Sequence, residues 1–226
     1  MNQVVAAVEL KQQLVDAIRM LARANIVDHS GHGSARRDRQ SFYINSAAST
    51  RGALTTDDIV AVDLDGNPVE GSARPPLEFH IHSEIYRLRP DVHAVMHTHP
   101  QWSTFLTMVG VPYRAVFAQG ALLGNVPVFD SPLSVNTRPI GVQVAATLGN
   151  DSAVLLKSHG AIVAGSDVVE CFALAAYLEE NAHRQYMAMQ IGSPYVFSEA
   201  EQRVCRERLW RLDLFRKTWD HYRSTL

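Results

Sequence analysis

The chain has 226 residues, 46% of them hydrophobic, with a formal net charge of −2 at pH 7. That apolar content is enough for one well-buried domain, and a near-neutral balance without a long Lys or Arg run argues against nucleic acid or an anionic membrane as partner. Cys171 and Cys205 form no CxxC pair, no apolar run nears the roughly 18 residues of a membrane span, and the first residues do not read as a secretory signal; a reducing, cytoplasmic setting is expected.

From Val4 to Ala24 the apolar positions Val8, Leu14, Ile18 and Leu21 predict an amphipathic helix. Residues 25–37, NIVDHSGHGSARR, are small and polar; Gly31 and Gly33 flank His32 and predict a tight loop that presents a side chain or amides to a ligand. Ser41–Asn45 and Ile59–Leu64 predict strands, the second followed by the turn Asp65-Gly66-Asn67. After a Pro-containing loop, Phe79, Ile81, Ile85 and Leu88 predict a short helix that begins beside Glu78 and is ended by Pro90. From Asp91 to His99 a strand is predicted, and its alternation puts His97 and His99 on one face, opposite Val92, Ala94 and Met96.

Trp102–Val109 reads as a helix ending near Gly110, Ala115–Phe117 and Val126–Phe129 as short strands, and Arg138–Leu148 as a helix stopped by Gly149-Asn150. Ala153–Leu156 is an apolar strand running into His159-Gly160, where the chain must turn. Asp167–Ile191 is the clearest helix, with a capping box at Asp167 and Glu170 and a stop at Gly192; within it His183 reads as a solvated or interface residue. Ser198–Tyr222 predicts a packed or intersubunit helix with Val204, Trp210, Leu214 and Trp219 as buried positions. With no repeat or linker, one α/β layered domain over 1–226 is expected.

Two imidazoles two residues apart on a strand face can grip one cation, and His159 at the end of a buried strand predicts a third ligand. The return from the preceding helix brings Glu78 beside the pair. Three neutral imidazoles and a carboxylate suit one divalent ion per subunit, manganese or zinc, with iron or cobalt also compatible. The lack of thiolates favours a catalytic ion with an exchangeable position over a closed structural zinc, and no HExxH helix is present.

Together, GHGSAR (31–36), the run from Glu78 through HTHP (97–100) and KSHG (157–160) resemble the class II aldolase/adducin family over nearly the whole chain. The resemblance implies a single-domain α/β/α sandwich with a mostly antiparallel central sheet, usually a homotetramer with sites at subunit boundaries. It implies His97, His99 and His159 as metal ligands and Glu78 as an acid/base that also contacts the metal. Sugar-phosphate aldolases of the family carry Gly-Asn in the first loop and Ser-Ser before the glutamate. Here Gly31-His32 and Pro76-Leu77 stand instead, which removes donors a phosphate needs.

The GHxSxR form, with His82 four residues after the glutamate, is more similar to members that decarboxylate hydroxylated aromatic dicarboxylates of the 3,4-dihydroxyphthalate or 3-hydroxy-2-methylpyridine-4,5-dicarboxylate type. That likeness implies a metal-dependent carbon–carbon lyase acting on a small carboxylate. His32 or Glu78 would deliver the proton and Arg36 would pair with a second carboxylate. Tyr222 or Tyr113 are further proton-donor candidates that would meet the substrate, and Leu77, Phe79 or Trp102 could line a flat ring. An aldolase and a non-catalytic adducin-like binding module are the alternatives.

Overall fold

The structure, a computed structural model, describes residues 3–226. Its strands are β1 (His32–Arg36), β2 (Ser41–Asn45), β3 (Ile59–Asp63), β4 (Ala94–Thr98), β5 (Val128–Phe129), β6 (Ala153–Leu156) and β7 (Gly160–Gly165). They form one sheet in the order β3-β2-β1-β4-β7-β6-β5, antiparallel at every pairing except β5–β6. The α-helices are α1 (Gln3–Arg23), α2 (Phe79–Leu88), α3 (Gln101–Met108), α4 (Arg138–Leu148), α5 (Val168–Ile191), α6 (Glu199–Leu209) and α7 (Leu212–Arg223). Among the described residues no helix is long and apolar enough to cross a membrane.

Strand alternation divides the interior into two cores. On one face Ala94 and Met96 of β4 pack with Leu14 and Ile18 of α1, Leu106 of α3, Phe172 of α5, and Phe215 and Trp219 of α7. On the other, Val95 packs with Ile81 and Ile85 of α2 and with Val144 and Leu148 of α4. The layering is α/β/α, as the family resemblance implies. Each large apolar side chain enclosed this way contributes roughly 1.5–3 kcal/mol. Polar groups set among them must find partners inside, because an unpaired one costs a similar amount.

Local chemistry places the ends of the elements. Pro90 forces Arg89 out of the helical region, to φ −121° and ψ 87°, so α2 stops and the chain can enter β4. The Asp167 side chain accepts the Glu170 N–H and starts α5, and Gly192 follows its last turn. The first N–H groups of α3 are met by the buried Glu179 carboxylate of α5, which accepts from Trp102 N and Ser103 N at 2.7 and 3.0 Å. Glu179 therefore orients the segment that follows His99.

Four expectations are corrected. The loop predicted over 25–37 contains β1, the strand between β2 and β4. Gly160, expected only at a turn, opens β7, which pairs with β4 on its other side. Ala115–Phe117 is not a strand: Val116 N and Phe117 N donate to the Asn181 side chain of α5. The C-terminal segment is two helices, because Arg211 is extended at φ −141° and ψ 135°. Phe215 and Trp219 are buried there, whereas Val204 and Trp210 are exposed.

Candidate metal centre and active site

β4 lies between β1 and β7, so three chain segments meet at its C-terminal end. His97 is the penultimate residue of β4, paired with His32 of β1 on one side and Ile162 of β7 on the other. His99 follows immediately after the strand. His159 sits in the hairpin turn between β6 and β7, where Leu156 pairs with Gly160 and Ser158 takes a positive φ of 54°. Gly160 is dictated by space: a Cβ there would stand 2.3 Å from the Thr98 carbonyl oxygen. That close approach lets the turn carry His159 against β4. Glu78 comes from the other direction, at the N-terminus of α2.

One ligand atom from each of Glu78, His97, His99 and His159 lies within 4.8 Å of all the others. His97 Nδ1 lies 3.2 Å from the Ala161 carbonyl, and His99 Nδ1 lies 2.8 Å from Asp28 Oδ1. Both acceptors require the proton on Nδ1, which leaves both Nε2 atoms as bare lone pairs. Those two atoms face each other at 3.1 Å. Two nitrogens held at about 2.0–2.1 Å on a tetrahedral zinc would be separated by roughly 3.3 Å. The Glu78 carboxylate adds Oε2 at 3.4 Å from His97 Nε2 and Oε1 at 3.8 Å from His159 Nε2. Lone pairs converging from imidazoles and a carboxylate are held together by a cation, so the donor set fits a divalent metal ion.

The electrostatics agree with that use. Burial drives the His97 imidazole down to about 3, against the opposing pull of Glu78, so it is neutral at neutral pH. Burial also lowers His159 and His32. Burial would raise Glu78, but the His32 and His97 rings and the Val135 N–H outweigh it and hold the carboxyl well below the usual carboxylate range. Its Oε1 accepts Val135 N at 2.7 Å and Ser134 Oγ at 2.9 Å, which anchors the group from the segment before α4. Asp28 is opposed by burial, yet the hydrogen bonds from His99, Ser30 N and Gly31 N hold it at about 2.

Asp28 escaped the sequence reading because nothing in its surroundings announces a partner 71 residues away. As the acceptor that fixes the His99 tautomer, it should matter to metal binding: Asp28→Ala is expected to weaken zinc affinity about 10–100-fold, the usual cost of an outer-shell partner. Competition with a chromophoric chelator measures this; an unchanged affinity would remove Asp28 from the site.

The structure brings His32 to the same place. Its ring lies 4.9 Å from that of His97, centre to centre, and its Nε2 is 3.8 Å from Glu78 Oε2. Arg36 is a correction. It sits at the far end of β1, about 13 Å away at the strand rise. Its guanidinium donates to the carbonyls of Val92, Tyr86 and Arg89 and stacks 4.6 Å from the Tyr86 ring, so it braces α2 against the sheet. The cation near His32 is instead Arg51, which is buried on the Gly31 and Ser49 carbonyls and forms no ion pair among the described residues.

Tyr113 is enclosed and donates to the Gly120 carbonyl at 3.1 Å, away from the four ligands. Tyr222 packs edge-on against Phe172 on the opposite face of the sheet from α2 and does not join the cluster within its own chain. Phe79 packs against the α2–α4 core, Leu77 is exposed, and Trp102 stacks on the exposed His183 with ring centres 4.2 Å apart.

Comparison with known proteins gives this arrangement a context. Residues 12–186 match the family model of the class II aldolase and adducin N-terminal domain. The chain is 32% identical over 173 residues to a 3,4-dihydroxyphthalate decarboxylase of Arthrobacter keyseri, covering 70% of each chain. It is 30% identical over 200 residues to a methylthioribulose-1-phosphate dehydratase of Xanthomonas campestris pv. campestris, covering 82% of this chain and 92% of that one. Among solved structures, an L-fuculose 1-phosphate aldolase superposes with a TM-score of 0.81 at 26% identity, over 90% of this chain and 97% of the other. These relatives are lyases of different substrates sharing one scaffold. With the family model covering most of its length, the chain belongs to the class II aldolase and adducin family.

Proposed function

We propose that the protein is a metal-dependent carbon–carbon lyase that removes carbon dioxide from a hydroxylated aromatic dicarboxylate, of the 3,4-dihydroxyphthalate or 3-hydroxy-2-methylpyridine-4,5-dicarboxylate type. His97, His99 and His159 would hold the ion, with Glu78 alongside. The observation that carries the choice of substrate is the segment before Glu78. Pro76 has neither a hydroxyl nor an N–H and is buried, and Leu77 turns an apolar side chain outward. A phosphate dianion finds no donor in these two side chains. The likeness to a dihydroxyphthalate decarboxylase supports the same reading.

When bound, the ion supplies positive charge next to the substrate oxygen on which negative charge gathers. The protein side chains do the rest. Glu78, ionised and anchored by Ser134 and Val135, would move the proton of the ring hydroxyl to the ring carbon that bears the carboxylate; the bond to carbon dioxide then breaks and its electron pair restores the aromatic ring, leaving the charge on the oxygen. Solvent then restores the hydroxyl proton. Arg51, whose Nε and Nη1 are held by the Gly31 and Ser49 carbonyls, would meet the remaining carboxylate through Nη2. Arg51→Met is expected to raise KM for a dicarboxylate about tenfold or more while changing kcat less, the cost of losing one charge-assisted hydrogen bond. Steady-state kinetics read the split, and an unchanged KM would exclude Arg51.

A second reading is aldol cleavage of a hydroxy-ketone or sugar phosphate, favoured by the superposition on a fuculose-phosphate aldolase. Protein reloaded with manganese or zinc should release carbon dioxide from 3,4-dihydroxyphthalate or the hydroxypyridine dicarboxylate. Aldehyde release from sugar phosphates without carbon dioxide would reject the decarboxylase. Turnover of either kind would reject the adducin-like binding module. The proposed assembly is a homotetramer in the cytoplasm, checked by light scattering and fractionation.

A further inference from the structure

Beyond Glu78, a ladder of buried polar groups runs inward from the metal centre and takes no part in the steps above. Glu78, His82 and Tyr86 are spaced four apart and line one face of the start of α2, while His32 and Ser34 are two apart on the facing side of β1. The two rows interlock. His32 Nδ1 lies 2.7 Å from His82 Nε2, His82 Nδ1 lies 2.6 Å from Ser34 Oγ, and Ser34 Oγ lies 2.7 Å from the Tyr86 hydroxyl. His32, Ser34, His82 and Tyr86 are all buried, Ser34 and His82 completely.

The protons in such a chain can be ordered in two ways. In one, Tyr86 donates to Ser34, Ser34 donates to His82 Nδ1, and His82 Nε2–H donates to His32 Nδ1. Every hydroxyl proton is then satisfied. In the reverse order, His32 donates to His82 and His82 to Ser34. Ser34 and Tyr86 then hold two hydroxyl protons for one remaining contact, and one is left without an acceptor among the described residues. Each order leaves one buried donor without a close acceptor, but in the first it is the His32 Nε2–H, which faces the ionised Glu78 carboxylate at 3.8 Å, whereas in the reverse it is a hydroxyl with no anion among its contacts, so the first order prevails. It leaves the His32 proton on Nε2, which is buried, has no hydrogen-bond partner, and lies 3.8 Å from Glu78 Oε2.

We infer that the His82–Ser34–Tyr86 chain locks His32 as the Nε2–H tautomer, making it a hydrogen-bond donor to an anionic oxygen of the substrate and not a fourth nitrogen ligand for the metal. The substrate in this statement rests on the proposed lyase reading, but the tautomer does not. His82, Ser34 and Tyr86 are positioning residues: they touch His32, and only His32 faces the reacting group. His32 Nε2 approaches Glu78 Oε2, whereas His159 Nε2 approaches Oε1.

Neutron diffraction from deuterium-exchanged crystals of the zinc-loaded protein shows the protons directly. Deuterium is expected on Nε2 of both His32 and His82, with none on His32 Nδ1; deuterium on His32 Nδ1 would overturn the inference whatever the substrate proves to be. Ser34→Ala removes the proton that orients His82. It should lower turnover about 10–100-fold with zinc content unchanged, as loss of an outer-shell partner does. In that variant the His32 deuterium should spread onto Nδ1, and Ser34→Thr, which keeps a hydroxyl, should recover turnover. Full turnover with an unchanged His32 tautomer in Ser34→Ala would show that the chain has no positioning role. Failure of every substrate assay alongside the expected tautomer would instead count against the lyase reading.

Discussion

Substitution of His97 by alanine is expected to remove bound metal and turnover together, with affinity falling by more than the about 100-fold that an outer-shell partner costs. His97 is the ligand the fold holds most firmly. It is buried on β4 with its Nδ1–H on the Ala161 carbonyl, so its Nε2 has one direction to point. Removing it leaves His99 and His159 on segments joined only through the sheet, and Glu78 without its nearest imidazole at 3.4 Å. The substitution also opens a cavity, so thermal stability must be measured beside metal content. A folded His97→Ala protein that keeps its metal, or works without it, would contradict the assignment. The ring is neutral at neutral pH, which makes the loss a loss of a lone pair and not of a charge.

Glu78→Gln should separate chemistry from metal binding. The glutamine carbonyl oxygen can still accept from Val135 N and Ser134 Oγ, so α2 and the segment before α4 keep their contact. Three imidazoles remain for the ion. The variant has no basic oxygen to carry a proton, and kcat is expected to fall about 10²–10⁴-fold, the usual worth of a positioned general base. Metal content by mass spectrometry should change far less than kcat. Equal losses in both would make Glu78 a ligand only, and retained turnover would remove it from the reaction.

The part of this site that was legible in the sequence is the part that obeys a local period. His97 and His99 share a face because strand alternation is rigid, and Pro90 ends α2 wherever the rest of the chain lies. β1 was not legible because HGSAR has no polar–apolar alternation. Its Gly33 passes under Met96, where a Cβ would stand 2.5 Å from the sulfur, and its other face carries the polar ladder of His32 and Ser34. Both faces are buried, so the strand carries neither the apolar run nor the alternation by which strands are read.

Arg36 shows a different limit. The motif places it near His32 in sequence, but four residues of extended chain carry it to the other end of the sheet. Its donors are consumed by carbonyls at the end of α2, a contact that spacing does not reveal. Asp28 reaches His99 from a loop, and Arg51 reaches the Gly31 carbonyl beside His32 from a short 3-10 turn; both paths depend on the whole fold. His82 stands four residues after Glu78, a spacing plain in the sequence, yet its contacts with His32 and Ser34 depend on β1 being in place. Tertiary contact, not local preference, decides which of the polar residues serve the site.

X-ray diffraction at the zinc absorption edge, on crystals of protein purified metal-free and reloaded with one equivalent of zinc, probes the centre itself. One anomalous peak per chain is expected, about 2.0–2.1 Å from the Nε2 atoms of His97, His99 and His159. Imidazoles that stay bare while zinc settles elsewhere on the surface would contradict the metal centre and the chemistry built on it.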